Sequence, residues 1–192
     1  MKKFEKSLII GGFDPFHEGH EFLLKTSRDY SDSTDVYIGA KKRKNRLPRH
    51  IRAKSVESVI KYNNWENQIR IIGTGKYVDL NPAKYSLFIA GSDFLNFLSL
   101  NISSRGKEIK DSYKNYYLSF PNILIVNRKG MPLKPEVRSR LSEHVNILDL
   151  QGHIDISGTQ IRKAYKDGKD IRKMVSGNVW KVIEDYVHVF NN

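Results

Sequence analysis

The sequence contains no cysteine. That excludes a disulfide framework, a thiolate zinc site and a cysteine nucleophile. Long apolar runs are missing too. The start, Met1-Lys2-Lys3-Phe4-Glu5-Lys6, is faintly like the basic region of a signal peptide, but the apolar run behind it, Leu8-Ile9-Ile10, is too short for a signal core and stops at Gly11. No stretch approaches the roughly 20 apolar residues that span a bilayer. The expectation is a cytoplasmic protein with no membrane partner. Acidic residues are scarce: 21 Asp and Glu stand against 33 Lys and Arg, a net charge of +12. Such a surface attracts polyanions, either phosphorylated small molecules or nucleic acid. It also describes an ordinary lysine-rich, solvated surface, and charge alone does not separate these readings.

A chain of 192 residues suits one domain and is long enough to bury a core. Apolar residues at 39% and charged residues at 28% suit a globular protein. Short apolar runs predict strands at Ser7–Gly12, Asp35–Ala40, Gln68–Gly73, Leu87–Gly91, Asn122–Asn127 and Val145–Leu150. Between them, helices are expected from Glu21, over 51–65, 93–100 and 136–144. A last helix is expected from Val179, because Val179, Val182, Ile183, Tyr186, Val187 and Phe190 follow an i, i+3, i+4, i+7 pattern. This alternation predicts an α/β fold, an open parallel sheet with helices on both faces, in a single domain over 1–192. Ligands of such sheets sit beyond the carboxyl ends of the strands.

Gly11-Gly12 lies at such an end and is followed by Phe13-Asp14-Pro15-Phe16-His17-Glu18-Gly19-His20. Glycines there let backbone amides approach a ligand. Asp14-Pro15 is a candidate helix start, though the boundary could lie a few residues later; either way His17 and His20 fall near a helix N-terminus, on one face of the helix. Gly19 costs about 1 kcal/mol inside a helix, and close approach of a ligand would explain it. Free amides, a positive dipole end and two imidazoles that charge near neutral pH make an anion site. Each histidine could instead be merely exposed or hydrogen-bonded, but two at this spacing, behind a strand and a diglycine, favour function. Near the other end stands Asp155-Ile156-Ser157-Gly158-Thr159-Gln160-Ile161-Arg162. Ser157 and Gln160 have capping-box spacing, so an ordinary helix start explains them. Arg162 opposes the helix dipole there unless an anion accompanies it. Thr159, three residues away, could reach the same ligand.

The first segment resembles the H-x-G-H signature of the adenylyl- and cytidylyltransferase superfamily. Its Phe-Asp-Pro is similar to the nicotinate/nicotinamide mononucleotide adenylyltransferase branch, where Gly-Gly-Thr-Phe-Asp-Pro is usual; here Gly12 occupies the hydroxyl position. Residues 156–162 resemble the second signature, Ile-Ser-Ser-Thr-x-Ile-Arg, with Gly158 replacing the second serine. Ile171-Arg172-Lys173-Met174-Val175 matches the closing segment of that branch, with Ser176 replacing a proline. Phe88 to Asp93 resembles its Gly-x-Asp, Ile125 to Gly130 its strand-Arg-x-Gly, and Arg52 a family arginine. The resemblance implies a Rossmann-like fold whose C-terminal helical part, 157–192, carries the second phosphate motif. It implies transfer of AMP from ATP to nicotinic acid or nicotinamide mononucleotide, with Mg²⁺ held by substrate and water rather than by protein ligands. His17, His20 and Arg162 would be catalytic. Gly11, Gly12, Phe13, Gly19, Gly91, Asp93, Ser157 and Thr159 would bind ATP, with one lysine of the basic run, Lys42 or Lys44.

The alternatives are a phosphopantetheine adenylyltransferase, a glycerol-phosphate cytidylyltransferase, or a non-catalytic nucleotide- or nucleic-acid-binding protein on the same fold. A nucleic-acid partner is not expected, since the basic run Lys41 to Arg46 lacks interleaved aromatics. Homo-oligomerisation is left open. Gly73-Thr74-Gly75-Lys76 lacks P-loop spacing and reads as a strand-end turn. Trp65 and Trp180 read as packing residues. Tyr77, Tyr85, Tyr113, Tyr116 and Tyr117 are candidates to stack on a pyridine ring.

Overall fold

The structure, a computed structural model, describes residues 3–39, 45–76, 79–99, 116–152 and 156–191. Six strands form one parallel sheet: β1 (Phe4–Gly11), β2 (Ser31–Gly39), β3 (Ile69–Gly75), β4 (Leu87–Gly91), β5 (Asn122–Asn127) and β6 (Asn146–Gln151). Their order is β3-β2-β1-β4-β5-β6. This is the doubly wound Rossmann order, and its direction of winding reverses between β1 and β4. The helices are α1 (Glu18–Tyr30), α2 (Arg49–Tyr62), α3 (Ser92–Ser99), α4 (Pro135–Ser142), α5 (Gly158–Lys166) and α6 (Gly177–Ile183).

Alternation along the strands buries both faces. Ile9, Val36, Ile38, Ile89 and Leu124 point to one side, where Leu24, Val56, Val59, Ile161, Val179 and Ile183 from α1, α2, α5 and α6 cover them. Leu8, Ile10, Phe88, Ile123 and Ile125 point to the other, under Leu95, Val137 and Leu141 from α3 and α4 and under Tyr116, Tyr117 and Phe120. Helices on both faces were expected, and this is why they are there.

β2 begins four residues earlier than its apolar run suggests. Its polar start is buried in a hydroxyl network: Ser7 Oγ lies 2.7 Å from Ser31 Oγ and 2.9 Å from Thr34 Oγ1, and Thr34 Oγ1 donates to Ser27 Oγ at 2.9 Å. Satisfied hydroxyls cost little to bury, so these residues extend the strand. Asp35, also buried, is held by Lys6 at 2.8 Å, Arg70 at 2.7 Å and the Tyr85 hydroxyl at 3.0 Å. The expected last helix is α-helical only to Ile183; Glu184–Asn191 continues as a tighter 3₁₀ helix, with Val187 and Phe190 still buried. Among the described residues, no helix is long and apolar enough to cross a membrane.

Candidate functional site

A cleft of about 410 Å³ opens beyond the carboxyl ends of β1 and β4, at the reversal of strand order. His17, His20, Arg162, Gly11, Gly12, Phe13, Gly19, Gly91, Asp93, Ser157 and Thr159 all line it. The fold therefore brings together two motifs about 140 residues apart in sequence. Lys42 and Lys44 lie outside the described residues.

The first motif differs from its expected geometry in three respects. Asp14-Pro15 does not start the helix. His17 does: it is the N-cap of α1, and its Nδ1 accepts the Gly19 N–H at 3.1 Å. Glu18 and Glu21 follow in the first turn, where carboxylates favour the helix dipole. Second, the imidazoles are not poised to charge near neutral pH. Burial, then the charges of Arg128 and Arg162, hold the His17 pKa down to about 3. Burial, then His17 and Arg128, push His20 well below its usual value. Because His17 is neutral and its Nδ1 is an acceptor, its proton sits on Nε2, so it remains a donor without being a cation. The His20 ring stacks on His17 at 3.8 Å between centroids, and Phe13 backs it at 4.9 Å. Third, Gly19 has a local explanation: an added Cβ would meet His17 Cε1 at 3.0 Å and Nδ1 at 3.1 Å. The imidazole folding back to cap the helix occupies the space a side chain would need.

In the second motif Ser157 is the N-cap of α5. Its Oγ accepts from Gln160 N at 3.1 Å and donates to Gln160 Oε1 at 2.7 Å, so the helix-start explanation holds for it. Arg162 lies beyond the first turn and is buried. Its Nη1 donates to the Asp14 carbonyl and lies 3.7 Å from Asp14 Oδ2, while its Nη2 donates to Thr159 Oγ1 at 3.0 Å. The anion that accompanies this cation in the structure is the Asp14 carboxylate.

Asp14 is the residue that sequence reasoning underrated. Its buried carboxylate accepts from Leu47 N at 3.0 Å and from Arg46 Nη1 at 2.9 Å, tying the β1–α1 loop to the segment before α2 and to α5. Arg52 reinforces the same corner: Nη1 donates to Gly12 O at 2.8 Å and Gly39 O at 3.2 Å, and Nε to Leu47 O at 3.1 Å. Arg46 and Arg128 also line the cleft. Arg128 donates to Ile156 O at 2.7 Å and pairs with Asp93 at 3.3 Å. Its position one residue past β5 was a usable signal, because cations at strand carboxyl ends face the ligand side. The tyrosine candidates fall elsewhere. Tyr85, Tyr116 and Tyr117 are core residues, and Tyr77 and Tyr113 lie outside the described residues. Among the described residues, the phenyl rings lining the cleft with Phe13 are Phe22 and Phe94. Trp65 is a buried packing residue, with the Arg28 guanidinium 5.2 Å from its ring; Trp180 is partly buried.

Among the described residues, the cleft thus offers three guanidinium groups, two neutral imidazoles and the start of α5, an arrangement suited to a polyphosphate. Known proteins resemble this chain over most of its length. A protein of Clostridium botulinum named "Probable nicotinate-nucleotide adenylyltransferase" is 24% identical over 201 residues, spanning 93% of this chain and 95% of its own. One of the same name from Christiangramia forsetii is 23% identical over 190 residues, spanning 93% and 94%. The fold is shared by the Plasmodium falciparum nicotinic acid mononucleotide adenylyltransferase. Its complex with APC superposes with a TM-score of 0.66 at 16% identity, over 98% of both chains. Its complex with NaAD superposes at 0.67 and 17%, over 100% of this chain and 99% of that one. The model of the cytidylyltransferase-like family matches residues 8–164, a span that holds both motifs and all but the last helices, and the chain belongs to that family.

Proposed function

We propose that this protein transfers AMP from ATP to nicotinic acid mononucleotide or nicotinamide mononucleotide and releases pyrophosphate. The observation that carries this reading is the convergence of His17 and His20 with Arg162, Thr159, Arg46 and Arg128 around one cleft at the switch point. The pyridine acceptor draws support from the names of the similar proteins and from the Phe13-Asp14-Pro15 and 171–175 segments.

The acceptor phosphate oxygen attacks the α-phosphorus in line. A new P–O bond forms, the bond to the bridging α–β oxygen breaks, and pyrophosphate carries away the electron pair. The attacking phosphate is already an anion, so no side chain need remove a proton. What remains is positioning and stabilisation of charge on the phosphoryl oxygens. His17 Nε2–H and His20 would donate to these oxygens as neutral groups. Arg162, with Thr159 beside it, would hold the outer phosphates, and Arg46 and Arg128 would flank them. Mg²⁺ would arrive on ATP, coordinated by phosphate and water, and would neutralise charge on the phosphates. Among the described residues, the carboxylates lining the cleft are Asp14 and Asp93, engaged by Arg46 and Arg128, which fits an ion held by substrate rather than by the protein.

The test is a pyrophosphate-release screen crossing ATP and CTP with nicotinic acid mononucleotide, nicotinamide mononucleotide, phosphopantetheine and glycerol phosphate. Release is expected from ATP with one or both pyridine mononucleotides. Silence with both would overturn the proposal.

A further inference from the structure

Gly158 departs from the signature that residues 156–162 resemble, and the structure supplies a reason for it. It is the first residue of α5, in ordinary helical backbone that any residue adopts. Glycine is therefore present for space and not for its torsion angles. A Cβ added there would fall inside the contact distance of the Asp14 carbonyl oxygen and 3.1 Å from Arg162 Nη1. The obstacle is backbone, which cannot swing aside like a side-chain tip. That carbonyl is also the acceptor of Arg162 Nη1, whose guanidinium is held from the other side by Thr159 Oγ1 and faced by Asp14 Oδ2 at 3.7 Å. The loop after β1 and the first turn of α5 thus meet at residue 158, and their meeting makes the seat for Arg162.

We propose that Gly158 is a positioning residue: its missing side chain lets the Asp14 peptide close against α5 and orient the Arg162 guanidinium at the cleft wall for a polyphosphate. The inference rests on the phosphate-cradle reading above and deepens it. It also reverses what the resemblance suggests. A serine at 158 would restore the usual signature, yet in this chain it would displace the Asp14 carbonyl and unseat Arg162. Alanine would do the same, because the harm comes from Cβ.

The test is calorimetric binding of inorganic tripolyphosphate to the wild type, Gly158→Ala, Gly158→Ser, Arg162→Gln and the double variant Gly158→Ala/Arg162→Gln, with melting temperatures alongside and AMP transfer measured separately. Both single substitutions at 158 should weaken binding about tenfold, the scale of a charge-assisted hydrogen bond. The double variant should bind no more weakly than Arg162→Gln alone, because residue 158 acts through that arginine. Wild-type affinity in Gly158→Ser, additive losses in the double variant, or no tripolyphosphate binding by the wild type would each overturn the inference. Should the 158 variants not fold, nuclear magnetic resonance of the wild type decides. A seated Arg162 gives slowly exchanging guanidinium protons that vanish in Arg162→Gln, and a rapidly averaged signal overturns the seat. Absent AMP transfer with an intact binding cycle would sink the acceptor assignment and leave this inference standing.

Discussion

Acid should destabilise this protein through His17. His17 is buried, caps α1 through an unprotonated Nδ1, and has its pKa held down to about 3 by burial and by Arg128 and Arg162. In the unfolded chain it titrates near the ordinary histidine value of 6.5. Between these values the unfolded state binds the proton and the folded state does not, so stability falls as pH falls. The loss begins below about pH 6.5 and is complete near pH 3. At pH 5 the separation amounts to about 1.5 pH units, or about 2 kcal/mol at 1.36 kcal/mol per unit. For a chain of this length that lowers the melting temperature by roughly 4–8 °C. The assay is thermal and urea unfolding of the wild type and His17→Asn at pH 7.5, 6.5, 5.5 and 5.0. Asparagine also accepts a bond from the second helical N–H, so the cap survives while the titration disappears. The difference in stability between the two proteins should shift in favour of the variant by about 2 kcal/mol on going from pH 7.5 to 5.0. Parallel stability curves would refute the reasoning, because they would mean that His17 is protonated or solvated in the folded protein.

Arg128→Gln should have two opposite effects. Tripolyphosphate affinity should drop about tenfold or more for loss of a guanidinium at the cleft, while acid sensitivity lessens, since Arg128 contributes to lowering both His17 and His20; isothermal calorimetry and the same pH series read the two. Asp35→Asn removes the charge that gathers Lys6, Arg70 and Tyr85. Those cations are 26% and 68% exposed, so the cost by urea unfolding should be about 1–2 kcal/mol and not the 3–5 of a fully buried pair. Asp35 does not line the cleft, and pyrophosphate release per folded molecule should be unchanged. Gly12→Thr should fold with a melting temperature within about 2 °C of the wild type and a KM for ATP no higher, because an added Cβ meets nothing within 4 Å; a raised KM would show that the position is crowded by ligand.

The strands were legible because burial on both faces writes them as short apolar runs, as at Leu87–Gly91 and Asn122–Asn127. β2 was legible only from Asp35 onward, since hydroxyls satisfied by partners on α1 and β1 look like loop residues until those partners are known. The site residues were legible as residue types at telling positions, but their electrostatics were not. His17 and His20 lose their charge to burial and to Arg128, which is more than 100 residues away in sequence. Asp14 was misread for the same reason. Aspartate before proline has a local explanation as a helix cap, and its actual partners, Arg46 and Arg162, are 32 and 148 residues distant.

The two glycines that depart from the resembled signatures show why a departure has no meaning until its neighbours are known. In sequence they are equivalent, each a missing hydroxyl in a phosphate motif. In space they differ. Gly12 borders open cleft, while its carbonyl holds Arg52, so what a side chain there could add or remove concerns the ligand alone. Gly158 is pressed against the Asp14 carbonyl, so a side chain there would disturb the protein before it met any ligand. Loss of a hydroxyl at 12 subtracts at most one contact. Loss at 158 goes with a closer approach of two loops and a seated arginine, and it compensates within the same motif for the contact it removes. The chain that looks twice impaired is, by this geometry, altered once at a position where addition is free and once at a position where the alteration is what lets Arg162 into place.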